Sequence, residues 1–407
     1  MTNNTAPRTL SRLLLILLFL LAPLTASADW VEAKSDNFLF TGDVSEKRAE
    51  KILSELEEYR AIIFSLFQVE RANEAVPLRV YATKSSRDIE DMTGSKNAAG
   101  VYSARLENPL FILNVKGGFT DKSPAKAIAL HEYTHHLLSQ YTDQMYPRWV
   151  NEGMAEYLST FRASDKGRVK IGLPKEERGW TLARYDWMDW DILTSAIRSY
   201  PYSNSDDRNT EAVQRLFYAQ SWLAVHYIQS TPDLAPKLSE YVRGVPQASD
   251  PKAYFTKVFG LTPTEFGEEL ERYFKRNSYP GRQVMLPDTV ADMTITTRKM
   301  SDGESEFHKA EAIRQFRVRS KAGRALAKEH YDEAEAEGGP IAQIEASRAL
   351  LAVASGEMDD ALAHSDKALK LDPDGARALH VAAKVAFARY TDYNTPSTTQ
   401  DTRLRTH

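Results

Sequence analysis

The segment His131-Glu132-Tyr133-Thr134-His135 constrains this chain of 407 residues more than any other. Four residues along an α-helix turn the chain through about 400°, so His131 and His135 leave the helix about 40° apart, on one face. Two imidazoles so placed can hold one metal ion, and Glu132 beside them can reach a water on an open metal position. Ser123 and Pro124 upstream read as the cap and first residue of that helix, which the spacing carries to about Gln140. Zinc suits the pair, but it needs a third protein ligand if its fourth position is to stay open. The fold must therefore bring another acid or imidazole against this helix face. Cysteine, which is absent, can supply neither that ligand, nor a disulfide, nor a nucleophile.

Glu152 is the candidate third ligand. It lies beyond the interval His136 to Asn151, in Trp149-Val150-Asn151-Glu152-Gly153-Met154-Ala155-Glu156-Tyr157, expected on a second helix from about Pro147 to Tyr157. Glu156 shares its face and can accept the other ring N–H of a ligand histidine, fixing its tautomer. Gly153 and Ala155 are small enough for the two helices to approach. The plainer reading of Glu152 and Glu156 is a solvated acidic helix face. His136 points about 100° away from His135, which suits a packing or surface residue.

The surroundings suit a folded enzyme. Hydrophobic residues make up 42% of the chain and charged residues 27%, as in ordinary globular proteins. A net charge of -4 argues against nucleic-acid binding, which favours strongly basic surfaces. Residues 1–28 have the pattern of a secretory signal peptide: Arg8 and Arg12, an apolar run from Leu13 to Leu24, then Ala26-Ser27-Ala28. That run is too short to span a bilayer, and no later segment is apolar enough to do so. Losing Arg8 and Arg12 takes the charge to -4 - 2 = -6. Export without disulfides suits a bacterial periplasm or cell exterior, with stability drawn from the core or a metal.

The expected fold is α+β. Residues 29–277 open with a strand between Trp30 and Thr41, a helix from Ser45 to Phe67, a strand at Leu78–Ala82, and a hairpin of Val101–Ala104 with Leu110–Val115. The two motif helices follow, then a stretch rich in Trp180, Tyr185, Trp187, Trp190, Tyr200 and Tyr202. These aromatics wall a cleft or form a small core. Residues 278–303, with Pro280, Gly281, Pro287 and an extended Met293–Thr297, read as a connector. Residues 304–390 are Ala-rich and helical, and 391–407 form a polar tail.

The pair of motifs, H-E-x-x-H followed by W-x-N-E-G-x-A-E, resembles the gluzincin zinc metallopeptidases. Its Asn-Glu-Gly run is similar to that of their aminopeptidases, and the layout is similar to the smaller peptidase-MA-like bacterial proteins. The resemblance implies a zincin-like core, His131, His135 and Glu152 as ligands to one zinc, and Glu132 as general base. It implies a peptide or protein substrate lying along an edge strand, for which Leu110–Val115 is the candidate by order. A later helix in such proteins often carries a Tyr or His that steadies the oxyanion. Tyr218 is the first candidate here and His226 the second, with core packing as the alternative for both.

Near the C-terminus, Gly356-Glu357-Met358-Asp359-Asp360-Ala361 with Lys367-Ala368-Leu369-Lys370-Leu371-Asp372-Pro373 resembles the second helix of a tetratricopeptide repeat. Ala342–Ser355 would be its first helix, Asp374–Tyr390 would begin another unit, and a degenerate unit would occupy Ser305–Gly338. Such an array serves as a protein-docking surface or as a stabilising cap. The sequence thus points to a secreted zinc metallopeptidase. The alternatives are a non-catalytic scaffold built on a peptidase-like core, and a hydrolase of non-peptide amides.

Overall fold

A computed structural model describes residues 30–394, except 71–72, 75, 104–108, 165–166, 198–209 and 288–292. The expected leader, the loop Ser203–Asn209, Tyr200, Tyr202 and the tail from 395 onward lie outside the described residues.

The fold is α+β, as expected, with a mixed six-stranded sheet and a predominance of helix. The segment expected as one strand folds as two, β1 (Val31–Lys34) and β2 (Phe38–Gly42), paired antiparallel. The break falls at Ser35–Asn37, where the buried Glu57 carboxylate accepts from Ser35 Oγ (2.7 Å) and Asn37 Nδ2 (2.9 Å). Helix α1 (Glu46–Phe67) crosses to β3 (Leu78–Thr83), parallel to β2. A short helix, α2 (Ser86–Thr93), was not anticipated. Then come β4 (Gly100–Ser103) and β5 (Leu110–Asn114), antiparallel to each other. The strand order is β4-β5-β3-β2-β1-β9, closed by β9 (Thr296–Lys299) against β1. The expectation of Leu110–Val115 as an edge is corrected. β5 pairs on both sides, and among the described residues β4 and β9 are the edges. The run Leu110–Leu113 is apolar throughout because both faces of the sheet are covered.

Alternation along β5 divides the core. Phe111 and Leu113 join the larger cluster with α1 and the motif helix, while Leu110 and Ile112 join a second cluster on the other face. The motif helix α3 (Pro124–Tyr141) begins as expected, with Ser123 Oγ accepting from Lys126 N and Pro124 in the first turn. Its inward side carries the residues between the histidines. Tyr133 packs edge-on to Phe38 at 5.2 Å, and Thr134 Oγ1 meets the Tyr59 hydroxyl at 2.5 Å and donates to Leu130 O. Buried Lys126 ties the helix to α1 through Glu55 at 2.7 Å. This anchoring leaves His131 and His135 on the outward face.

Helix α4 (Arg148–Leu158) follows, then the hairpin β6 (Arg162–Ser164) and β7 (Arg168–Ile171). Two short helices, α5 (Glu176–Arg184) and α6 (Trp190–Ser195), lead to the long α7 (Thr210–Ser230). Helices α8 (Ala235–Gly244), α9 (Pro251–Phe259) and α10 (Pro263–Lys275) complete this half. Gly153 serves α7 rather than the motif helix. A Cβ there would lie 2.4 Å from Ser221 O and 2.5 Å from Val225 Cγ2. The bare backbone of α4 thus admits α7 at close range, which seats Tyr218 one turn away from that contact.

Residues 278–303 contain β8 (Arg282–Met285), paired with β7, and β9, paired with β1. Beyond them α11 (Asp302–Arg317) and α12 (Lys321–Ala336) form one helical pair, and α13 (Ile341–Ser355) and α14 (Met358–Leu371) a second. Gly356 caps α13 in the left-handed region, with φ 79°, which glycine adopts without strain. Helix α15 (Ala376–Asn394) runs past the expected start of the polar tail. Phe307, Ile313 and Tyr331 share the second core cluster with Tyr81, Leu110 and Ile112, so the C-terminal helices cover the outer face of the sheet. No helix among the described residues is long and apolar enough to cross a membrane.

Candidate metal centre

Helices α3 and α4 bring the expected residues together. His131 Nε2 lies 3.1 Å from His135 Nε2, and each lies 3.2 Å from Glu152 Oε2. Three ligand atoms around one tetrahedral metal, with bonds of about 2.0–2.1 Å, sit about 3.3–3.4 Å apart. The triangle fits one zinc ion with a few tenths of an ångström of adjustment. Glu152 is 3% exposed, whereas His131 and His135 are 13% and 20% exposed, so the triangle is closed behind and open in front. A fourth position facing solvent is the feature that separates a catalytic zinc from a structural one.

The remaining ring nitrogens are also committed. His131 Nδ1 is 3.2 Å from Glu156 Oε1, the contact foreseen from the sequence. His135 Nδ1 is 3.0 Å from Asn151 Oδ1. With a metal bound in place of the Nε2 protons, each Nδ1–H would donate to its oxygen and each Nε2 lone pair would face the shared centre. Burial disfavours charge on His131, but its bonds to Glu152 and Glu156 outweigh this and raise its pKa to about 9. Burial likewise works against the Glu152 carboxylate, and the two histidines more than compensate, holding it well below the usual range. Glu156 is buried and stays ionised because Lys175 (2.5 Å) and Arg178 (2.8 and 2.9 Å) grip it.

Glu132 is half-buried beside the ligands. Its charge reaches two tyrosines, Tyr102 on the edge strand β4 and Tyr218 on α7. The Tyr218 ring centre is 6.1 Å from that of His131, and its hydroxyl accepts from Gln214 Nε2 at 3.2 Å. Burial, then the charges of Glu152 and Glu132, raise the Tyr218 pKa, so the phenol keeps its proton and can donate it in a hydrogen bond. His226 does not join the site. Its Nε2 donates to Gly172 O at 2.9 Å, its Nδ1 accepts from the Tyr273 hydroxyl at 2.8 Å, and burial lowers its pKa to about 4. It is a neutral core histidine.

His136 is buried, the packing rather than the surface alternative, with Nδ1 2.8 Å from the Tyr102 hydroxyl and Nε2 near Glu74. That contact pins the edge strand to the motif helix. Among the aromatics, Trp190 is core, buried edge-on between Trp149 and Phe266, and Trp187 packs half-buried against that core on Phe274. Trp180 is 57% exposed. A cleft of about 760 Å³ lies on the other flank of α4, lined by Met154 and Tyr157 among others, and contains none of the donors. Donor chemistry rather than volume therefore marks the site.

Sequence reasoning missed Asn151, Lys175, Arg178 and Tyr102. Asn151 had a usable signal, since it precedes Glu152 on the same helix. The others come from separate elements with no motif of their own. No protein-family model and no curated protein matches this chain.

Proposed function

We propose that this chain is an exported zinc metallopeptidase of the gluzincin kind, with His131, His135 and Glu152 as metal ligands. The observation that carries the proposal is the convergence of two Nε2 atoms and one Oε2 atom at tetrahedral spacing, with both Nδ1 atoms held by acceptors behind them. Zinc bound there supplies Lewis acidity toward a water and a peptide carbonyl. The chain supplies the rest. Glu132 takes the proton of the attacking water and returns it to the departing amine. Tyr218 donates its hydroxyl to the developing oxyanion. The free edge of β4 offers backbone groups to an extended peptide, and the Tyr102–His136 hydrogen bond holds that edge at a fixed distance from Glu132.

On this reading the sheet with α1, α3, α4 and α7 is a zincin-like core. The pairs α11/α12 and α13/α14, with α15, are a short tetratricopeptide-like array packed on it. The leader at 1–28 would deliver the chain to a periplasm or cell exterior. The deciding experiment is metal content and hydrolysis measured together on residues 29–407, for wild type and Glu132→Gln. The expected result is one zinc per chain in both and peptide cleavage in wild type alone. Cleavage retained by Glu132→Gln overturns the mechanism, and wild type without zinc after reconstitution overturns the site.

A scaffold role is the second reading. It draws on Leu379, Phe387 and Tyr390, which stand 51%, 69% and 67% exposed on the final helix. In that case Glu132→Gln leaves partner binding intact, and changes on α15 abolish it. A panel of envelope amides beside peptides tests the third option, a non-peptide amidase.

A further inference from the structure

Arg178 on α5 touches both halves of the candidate site. Its Nε and Nη2 donate to the two oxygens of Glu156, at 2.9 and 2.8 Å, and Glu156 in turn accepts from His131 Nδ1. Its guanidinium carbon lies 5.6 Å from the centre of the Tyr218 ring. The side chain is only 12% exposed, and α5 is packed against α7, so the guanidinium is wedged rather than free to swing. Lys175 holds the same carboxylate at 2.5 Å, but among the described residues Arg178 alone lies over the Tyr218 ring.

The geometry has a physical consequence. A carboxylate with a single point-charge partner can rotate about its last bond, and the imidazole it orients rotates with it. A two-pronged guanidinium fixes the carboxylate plane as well as its charge. The same flat cation attracts the face of a phenol ring. We propose that Arg178 is a positioning residue that sets the His131 ring and the Tyr218 ring in register with each other, one through Glu156 and the other through its own face. Lys175 neutralises Glu156 without taking part in that alignment. The inference rests on the metallopeptidase reading only for its kinetic consequence, since ligand orientation matters for any metal held by His131.

The test uses residues 29–407 carrying Arg178→Lys, which keeps the charge and loses the fork. Tyr218→Phe, the double variant and Lys175→Met complete the set. Zinc affinity is measured by chelator competition, and the cobalt-loaded proteins are examined by visible absorption and by titration with acetohydroxamate. Arg178→Lys is expected to weaken zinc by about 10–100-fold and to change the cobalt spectrum. It should weaken acetohydroxamate in the Tyr218 background and lose most of that effect in Tyr218→Phe. In the peptidase assay the loss should fall on kcat rather than KM.

An unchanged zinc affinity and cobalt spectrum in Arg178→Lys overturns the proposal. So does an equal loss of acetohydroxamate binding in both backgrounds, or the same coupling to Tyr218 from Lys175→Met, which would make charge the cause. Should Arg178→Lys fail to fold, Arg178→Gln replaces it in the same cycle. A wild type that binds metal and acetohydroxamate but cleaves no peptide contradicts the peptidase reading and leaves these criteria intact.

Discussion

Two groups of histidines and carboxylates among the described residues bring their ligand atoms within 4.8 Å of one another: His131, His135 and Glu152, and Glu306, His330 and Glu333. They differ in what lies between and behind the donors. At the first group the three atoms face one another, and the second nitrogen of each ring is held from behind by Glu156 or Asn151. At the second, Lys309 Nζ already sits 2.7 Å from Glu306, the ring faces Glu306 and Glu333 through Nδ1 alone, and Glu333 is 53% exposed. The second group is therefore an ion-pair cluster bracing α11 against α12. Proximity of ligand types is common. What distinguishes the first is that its donor atoms face one another and each ring turns its second nitrogen to an acceptor behind it.

The largest predicted effects break the first group while sparing the second. His135→Ala should lose the metal outright, whereas His330→Ala should keep one metal per chain, as read by elemental analysis. Glu132→Gln should keep the metal and lose turnover by about 10²–10⁴-fold, the range for a general base. Equal metal loss from His330→Ala and His135→Ala would erase the comparison.

Smaller effects come from the supports. Gly153→Ala forces a methyl group into Ser221 O and Val225, so stability should fall by about 1–3 kcal/mol in thermal unfolding. Residual activity should fall with it, because Tyr218 rides on the same helix. Asn151→Ala removes the acceptor behind His135 and should weaken zinc by about 10–100-fold in chelator competition.

The smallest effect belongs to the second group and depends on pH. Burial works against the Glu306 carboxylate, but bonds from His330 and Lys309 outweigh it and lower its pKa to about 2 from 4.5. Burial disfavours charge on His330, and the bond to Glu306 outweighs that, raising its pKa above 6.5. The Glu306 contribution is present above pH 4.5 and lost toward pH 2. The His330 contribution is present below pH 6.5 and lost as pH rises through its folded value. Wild type should therefore exceed Glu306→Gln most between pH 4.5 and 6.5, by about 1 kcal/mol for a pair that keeps partial contact with solvent. A difference that is flat from pH 3 to 8 would refute the linkage.

Legibility varied with how local the cause was. His131, His135 and Glu156 could be read because helical periodicity alone decides which side chains share a face. The caps at Ser123 and Gly356 were equally local. The single strand expected over Trp30–Thr41 failed because the break depends on Glu57, twenty residues further along the chain. The edge strand was misplaced because an apolar run says that a strand is covered, not what it pairs with. For His226, the second candidate, the core-packing alternative holds, because Gly172 and Tyr273 occupy both of its nitrogens.

By itself, then, the sequence determined two amphipathic helices, each offering metal-ligating side chains from one face, and the α+β class around them. Those properties follow from backbone periodicity and short-range hydrogen bonding. Only the tertiary structure decided that the two faces meet within 3.2 Å, that Gly153 admits α7 and its Tyr218, and that Arg178 and Lys175 close on Glu156. It also decided that β9 returns to pair with β1, and that the C-terminal helices cover the sheet's outer face. These contacts join residues far apart in the chain, and they are set by the packing of two core clusters, to which no local pattern holds the key.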